Sequence, residues 1–377
     1  MSDFSEFDKE LQRLKTLERF RTLESRRTDG IYLITENHQR LCNFGSNDYL
    51  GYATQDSLKF HQGSGASPLV CGWSEIHEDL SLELARFESA EAVCLFSSGY
   101  AASSGAVATL ARERDVIFSD ELNHASLIDG CRLSRAKCFV YSHRDIASLR
   151  LLMSKHREHY QNAWIVTDSV FSMDGHLAPL TELCDLRDEF GAAIIIDEAH
   201  ATGVFGEGGS GLAEWLNVKK RVDVIIGTLS KAIGSQGGFI ASTRTIIDYL
   251  TNRCRSLIYS TALPQSSVAA AAQSVHKIMQ SSRERDRVTS LAEMLRESLA
   301  IKTSSKEMLV PIIPVVVGSD GAAIAAAQQL RQAGFYVPAI RPPTVPEGQA
   351  RLRISLSALH TEEMIVDLLD YLRPLVR

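Results

Sequence analysis

Lys231 lies in the stretch Gly227-Thr228-Leu229-Ser230-Lys231-Ala232-Ile233-Gly234-Ser235-Gln236-Gly237-Gly238, directly after the mostly apolar run Val222–Ile226. A lysine just past a buried strand, among small residues, is poorly placed for a solvated charge. Desolvation lowers its pKa, so that its amine can attack a carbonyl and form a Schiff base. Glycine and serine at such a place let backbone and ligand approach closely. Taken alone, Lys231 reads far more readily as an ordinary loop lysine, so the chemistry depends on partners elsewhere. Asp197 closes a second apolar run, Ala193-Ile194-Ile195-Ile196, with His200 three residues on. Ligands of open α/β sheets bind at the carboxyl ends of the strands. A buried acid there takes a cationic partner or a proton; its bland alternative is a helix N-cap.

Two further segments supply what a charged aromatic ligand needs. Ser97-Ser98-Gly99-Tyr100 joins the apolar run Ala92–Phe96 to a stretch of small helix formers. A strand-to-helix junction of this kind turns backbone N–H groups and hydroxyls toward an anion, and a phosphate fits it. Thr228 and Ser230 add donors beside Lys231. His124, in Asn123-His124-Ala125-Ser126-Leu127, is either a satisfied loop histidine or a ring stacked on a flat ligand. A lysine for an aldehyde, an acid for a ring nitrogen and an N–H nest for a phosphate describe a phosphorylated pyridine aldehyde. Pyridoxal phosphate (PLP) is the cofactor that asks for this set.

The elements that must position these groups alternate along the chain. Strand patterns occur at Ala92–Phe96, Val116–Phe118, Cys138–Tyr141, Trp164–Thr167, Ala193–Asp197, Val222–Ile226 and Phe239–Ala241, most of them separated by helical stretches such as Ser81–Ser89 and Tyr100–Leu110. Near-continuous apolar strands between helices predict a mostly parallel sheet covered on both faces. Upstream, Phe4, Phe7, Leu11 and Leu14 share one helical face within residues 4–25, and Ile31–Ile34 with Arg40–Phe44 predict a hairpin. Beyond residue 265, helices at Ser266–Met279, Arg283–Leu299 and Ala322–Ala333 accompany strands at Leu309–Val317, Phe335–Ile340 and Leu352–Leu356. Thr361 caps a final helix through Leu372. The expected division is an N-terminal helix and hairpin segment, 1–44, packing with a smaller C-terminal α+β domain, 266–377, and a large domain, 45–265.

Composition narrows the class. With 377 residues, 45% of them hydrophobic, the chain can bury a large core, and a net charge of −6 leaves no nucleic-acid footprint. The seven cysteines form no C-x-x-C pair and no zinc spacing, which predicts reduced thiols and no metal centre. No apolar run reaches membrane-spanning length, and Asp3, Glu6, Asp8 and Glu10 argue against a signal or transit peptide, so a cytoplasmic location is expected. Two motifs are decoys. Asp197-Glu198-Ala199-His200 spells a helicase-type acidic motif, but the chain has no Gly-Lys dipeptide and hence no phosphate-binding P-loop. Gly206-Glu207-Gly208-Gly209-Ser210-Gly211 spells a dinucleotide fingerprint but follows no strand, and reads as a plain loop. His143, His156 and His159 stand in polar surroundings and are expected to be solvated.

The chain resembles the fold-type I PLP-dependent enzymes, and within them the α-oxoamine synthases. The carriers are Asn43-Phe44-Gly45-Ser46-Asn47-Asp48-Tyr49-Leu50-Gly51, Asp120-Glu121-Leu122-Asn123-His124-Ala125-Ser126, Val170-Phe171-Ser172-Met173-Asp174-Gly175, Asp197-Glu198-Ala199-His200-Ala201-Thr202-Gly203 and Gly227-Thr228-Leu229-Ser230-Lys231. Gly63-Ser64-Gly65-Ala66-Ser67, Ile258-Tyr259-Ser260-Thr261 and Ile340-Arg341-Pro342-Pro343-Thr344-Val345-Pro346 are most similar to the biotin-pathway branch. The resemblance implies a homodimer, with L-alanine and a pimeloyl thioester as substrates and either coenzyme A or acyl carrier protein as the thiol carrier. It implies Lys231 as Schiff base and general base, Asp197 on the pyridinium, His200 and Ser172 near the ring hydroxyl, and His124 stacked on the ring. Ser98, Gly99, Tyr100, Thr228 and Ser230 would hold the cofactor. Asn47, Arg341, Thr344 and Arg353 would meet substrate, with Arg353 on its carboxylate; an N-terminal arginine, Arg19 or Arg21, would join them. The rivals are a sister synthase (glycine C-acetyltransferase, 5-aminolevulinate synthase or serine palmitoyltransferase) and a non-catalytic PLP-fold regulator. The Arg341-Pro342-Pro343 segment argues against the first, and joint retention of Lys231, Asp197, His124 and Arg353 against the second.

Overall fold

The computed structural model describes residues 12–20, 26–54 and 63–375. The chain divides into two compact units, one of residues 1–47, 173–175 and 287–377 and one of residues 48–172 and 176–286. The larger unit is built on seven strands: β1 (Ala92–Phe96), β2 (Val116–Asp120), β3 (Lys137–Tyr141), β4 (Ala163–Asp168), β5 (Ala193–Asp197), β6 (Val224–Thr228) and β7 (Gly238–Ser242). Their order in the sheet is β1-β7-β6-β5-β4-β2-β3. Only β7 runs against its neighbours, pairing antiparallel with β1 and β6, while the other pairs are parallel. The mostly parallel α/β sheet expected from the apolar runs is thus present, and β1, β2, β6 and β7 are buried along their whole length. Each fully buried Val, Leu, Ile or Phe contributes about 1.5–3 kcal/mol, so these strands are held by core burial on both faces.

Three helices matter for the site: α1 (Glu75–Glu88), α2 (Gly99–Leu110) and α3 (Ala125–Leu133). The small residues of α2 have a packing reason. A Cβ on Gly130 of α3 would stand 2.9 Å from the Val107 Cβ of α2, and one on Gly105 would stand 2.7 Å from the Cys254 sulfur and closer still to the Ser256 hydroxyl. Helix Gln265–Gln280 buries Val268, Ala271, Val275 and Ile278 and packs on α1, so the expected small domain loses its first helix to the larger unit. No helix among the described residues is long and apolar enough to cross a membrane.

The smaller unit holds two sheets. In one, Arg26–Asp29, Tyr32–Thr35 and Arg40–Asn43 form an antiparallel meander, joined in parallel by Phe335–Tyr336. In the other, the wholly buried strand Ala350–Ser355 lies between Ile312–Gly318 and Ala339–Ile340, antiparallel to both. The single strand expected over Phe335–Ile340 is therefore two. Pro338 falls between them, has no N–H for a ladder, and lets the chain change sheets. The expected strand from Leu309 begins at Ile312, because Glu307–Leu309 forms a 3₁₀ turn. Of the amphipathic N-terminal helix, residues 12–16 are helical and the chain has left the helix by Glu18, at φ 57°, so it does not continue to residue 25. Phe4, Phe7 and Leu11 lie outside the described residues.

Candidate functional site

Because β1, β2, β4, β5 and β6 are mutually parallel, their carboxyl ends share one edge of the sheet, where ligands of such folds bind. Reversal of β7 brings a further chain end there: Gly238 pairs with Phe96 on one side and Thr228 on the other. This edge carries Ser98 and Gly99 after β1, His124 after β2, Asp168 ending β4, Asp197 ending β5, and Thr228 ending β6 with Ser230 and Lys231 just beyond it.

The anion cradle is tight. A Cβ on Gly99 would stand 3.1 Å from the Thr228 hydroxyl, and one on Gly238 would stand 2.6 Å from the Ser98 carbonyl oxygen. Ser98 is the N-cap of α2, its hydroxyl accepting the Ala101 N–H at 3.1 Å. The Thr228 and Ser230 hydroxyls are 2.7 Å apart. Helix α2 directs the N–H groups of its first turn, which lack intrahelical partners, toward this cradle. The Tyr100 side chain is turned elsewhere. Its hydroxyl donates to Asp129 and its ring meets His124 edge-on at 6.3 Å, so only its backbone N–H is available for a phosphate.

Asp197 is buried, one carboxylate oxygen accepting from the Ser103 hydroxyl at 2.8 Å and the other from the Ala199 N–H at 2.9 Å. His124 caps α3, its Nδ1 accepting the Ser126 N–H at 3.3 Å and lying 2.7 Å from the Ser126 hydroxyl. Burial lowers the pKa of His124, with Asp197 opposing and half-buried Lys231 reinforcing that shift, so the ring is neutral and within electrostatic reach of both charges. A neutral imidazole suits stacking on an aromatic face. His200 is buried, and its Nδ1 lies 2.7 Å from the hydroxyl of fully buried Tyr49. Ser172 is half-buried in the loop after β4. A lysine, a buried carboxylate, a neutral ring and a glycine-floored cradle at one sheet edge fit PLP in each of its parts.

Sequence reasoning missed Asp168. It stands opposite Asp197 in the β4–β5 register, and its carboxylate accepts the His124 backbone N–H at 2.6 Å. Burial first and the charge of Asp197 second push its carboxyl well above the usual carboxylate range. The signal was available, since Trp164-Ile165-Val166-Thr167-Asp168 repeats the apolar-run-then-acid pattern of Ala193–Asp197. Tyr49 and Ser103 carried no such signal. The acidic motif has a structural use: Glu198 accepts from the N–H groups of Leu212 and Ala213 and from Ser169. The Gly206–Gly211 segment is a loop, gathered by Glu214, which accepts from Gly208 and Ser210.

In the smaller unit, Arg353 lies buried in the central strand and donates to the Asn47 side chain at 3.0 Å and to Ser355 at 2.6 Å. Arg341 donates to the Glu18 carbonyl, and the N–H of exposed Thr344 returns to the Arg341 carbonyl at 3.1 Å, a turn. Arg19 is engaged with Asp320 at 2.8 Å and Glu347 at 2.5 Å, both within this unit. Arg21 lies outside the described residues. One expectation is overturned: His143 is not solvated but half-buried between Asp120 and His176. His156 likewise stacks on Phe139, with ring centroids 4.0 Å apart.

Residues 39–372 match the family model described as aminotransferase class I and II. The chain is 41% identical over 372 residues to the 8-amino-7-oxononanoate synthase of Lysinibacillus sphaericus, covering 95% of each. It is 42% identical over 370 residues to that of Geobacter sulfurreducens, covering 94% of this chain and 93% of the relative. Among solved structures, Sphingomonas wittichii serine palmitoyltransferase superposes with a TM-score of 0.92 at 30% identity, covering 99% of this chain and 98% of that one. The 8-amino-7-oxononanoate synthase from Francisella tularensis does so with a TM-score of 0.75 at 28% identity, covering 89% and 97%. With its strand-end lysine, paired acids and glycine cradle, the chain belongs to the class I and II aminotransferase family, in the branch of the 8-amino-7-oxononanoate synthases.

Proposed function

We propose that this chain binds PLP through Lys231 and condenses L-alanine with a pimeloyl thioester, giving 8-amino-7-oxononanoate, CO2 and the free thiol carrier, in biotin biosynthesis. The observation that carries the reading is buried Asp197, held by Ser103 and Ala199, at the same sheet edge as Lys231, with His124 in electrostatic reach of both, in a chain 41% identical to a synthase of that name along 95% of its length. When bound, PLP supplies an electron sink for the carbon whose bond is broken. Lys231 would hold the aldehyde, and its amine would serve as the base that takes the substrate Cα proton. Asp197, positioned by Ser103 and Ala199, keeps a proton on the ring nitrogen. His124 covers one ring face. His200 and Ser172 would meet the ring hydroxyl, and Ser98, Gly99, Thr228, Ser230 and the Tyr100 N–H would hold the phosphate. Arg353 holds the substrate carboxylate as a bidentate fork and so orients the Cα bonds, with Asn47 as its neighbour. Arg341, at the alanine or acyl end, Thr344 and an N-terminal arginine, Arg19 or Arg21, would meet the rest of the substrate. The working form is a homodimer that completes each site, and the location is cytoplasmic.

Alanine-dependent CO2 release, measured with the coenzyme A and acyl-carrier-protein thioesters in turn, tests the reaction and identifies the carrier. Borohydride reduction and peptide mapping should leave the pyridoxyl mass on the peptide holding Lys231. Faster turnover of glycine with acetyl-CoA than of alanine with a pimeloyl thioester would defeat the specific assignment in favour of a sister synthase.

A further inference from the structure

The loop after β4 is closed by a short ladder. Val170 bridges Leu177, the Phe171 N–H donates to the His176 carbonyl at 2.9 Å, and the Ala178 N–H donates to the Ser169 carbonyl at 2.8 Å. Ser172 lies inside that closure. Outside it stands a hydrogen-bonded chain of side chains that the reaction does not use. Asp120, buried at the end of β2, accepts the N–H groups of Leu122 and Arg144, each at 2.9 Å, which anchors its carboxylate. His143 Nδ1 lies 2.9 Å from the same carboxylate, and His143 Nε2 lies 3.0 Å from His176 Nδ1. A carboxylate only accepts, so His143 Nδ1 carries a proton toward Asp120, while His143 Nε2 and His176 Nδ1 share one proton between them. The His143 ring also meets Phe171 edge-on, with centroids 4.3 Å apart, and lies over His176 at 5.3 Å. One imidazole therefore touches both feet of the loop, by packing at Phe171 and by a hydrogen bond at His176.

We infer that Asp120, His143 and His176 form a clamp that holds the loop bearing Ser172, making His143 and His176 positioning residues for the group that meets Ser172. The inference rests on the PLP reading only for what Ser172 touches; the clamp itself is a property of the chain. Sequence separation hides it, because His143 and His176 are 33 residues apart. Ordered by an anchored carboxylate through His143, the chain transmits the rigidity of β2 to a loop that has two ladder bonds of its own.

The test compares His176→Leu, which fills the space but cannot hydrogen-bond, with His176→Asn, whose amide can donate to or accept from His143 Nε2 from the same place. Hydrogen exchange is read in the full-length chain, with and without PLP, at the Phe171 and Ala178 amides. In the leucine variant these amides should exchange about five- to tenfold faster, the effect of one lost hydrogen bond, while the asparagine variant stays within about twofold of wild type. PLP titration should show a matching weakening of about three- to tenfold for leucine, restored by asparagine, together with a changed absorption spectrum of the bound cofactor in the leucine variant only. Equal exchange in all three chains, or equal faults in both variants, overturns the clamp. Exchange behaving as stated while PLP affinity and spectrum do not move would keep the clamp and overturn the positioning role. Failure of wild type to bind PLP at all would instead defeat the cofactor reading.

Discussion

Replacing Tyr49 by Phe removes one hydroxyl from a fully buried ring and tests whether His200 is held for a purpose. The hydroxyl and His200 Nδ1 are 2.7 Å apart, and neither side chain is exposed enough for water to substitute. A neutral hydrogen bond contributes a net 0.5–1.5 kcal/mol or so, and depriving a buried polar atom of its partner costs about 1–3 kcal/mol. The expected loss is therefore about 1–2 kcal/mol, or roughly five- to thirtyfold in an equilibrium that depends on the geometry of His200. If Tyr49 donates to Nδ1, the proton of neutral His200 stands on Nε2, where it would be available to the ring hydroxyl of PLP. The variant should thus bind PLP about five- to thirtyfold more weakly and show an altered cofactor spectrum. Thermal unfolding of the cofactor-free protein separates this from a fold defect: the loss in PLP affinity should exceed the loss in stability. PLP affinity within about twofold of wild type, with an unchanged spectrum, would refute the assignment of His200 to the ring hydroxyl.

The paired acids should separate cleanly. Asp197→Asn should retain PLP but lose nearly all turnover, whereas Asp168→Asn, replacing a carboxyl whose pKa burial and Asp197 push up, should stay within about threefold of wild type in kcat/KM. Equal losses in the two variants would mean that Asp168 works as an anion. Arg353→Lys keeps the charge but not the fork, and should raise KM for alanine about tenfold or more while leaving PLP affinity alone. An unchanged KM would remove Arg353 from the carboxylate. His360, buried and stacked on Phe44 at 4.1 Å, accepts the Ser357 N–H at Nδ1, and burial lowers its pKa to about 4. Its folded pKa lies below the unfolded value of about 6.5, so the unfolded chain binds the extra proton and stability is lost as pH falls from about 6.5 toward 4, by up to roughly 1.4 kcal/mol per pH unit. Calorimetry of His360→Asn across that range should show a shallower decline than wild type, and identical slopes would refute the argument.

The chemistry-bearing residues at strand ends were legible in the sequence for a physical reason. A strand buried on both faces must be a continuous apolar run, so its first polar residue marks the carboxyl edge; Asp197 and Thr228 are such residues, and Lys231 follows Thr228 by three positions. Small residues after a strand likewise mark Ser98 and Gly99 as a close-approach turn, whatever the remaining topology. Tertiary structure alone decided which of these groups meet. Insertion of β7 against its neighbours brings Gly238 beside both Phe96 and Thr228, and β4–β5 register sets Asp168 opposite Asp197. Tyr49 finds His200 across 151 residues, and Arg19 finds Asp320 across 301. His143, polar in its local surroundings, is drawn out of solvent by Asp120 and His176. Local pattern reports whether a residue is buried and on which element, because burial and periodicity are properties of a few neighbouring side chains. Hydrogen-bond partners depend on strand order and register, which are set by the packing of the whole sheet and leave no periodic trace in the chain.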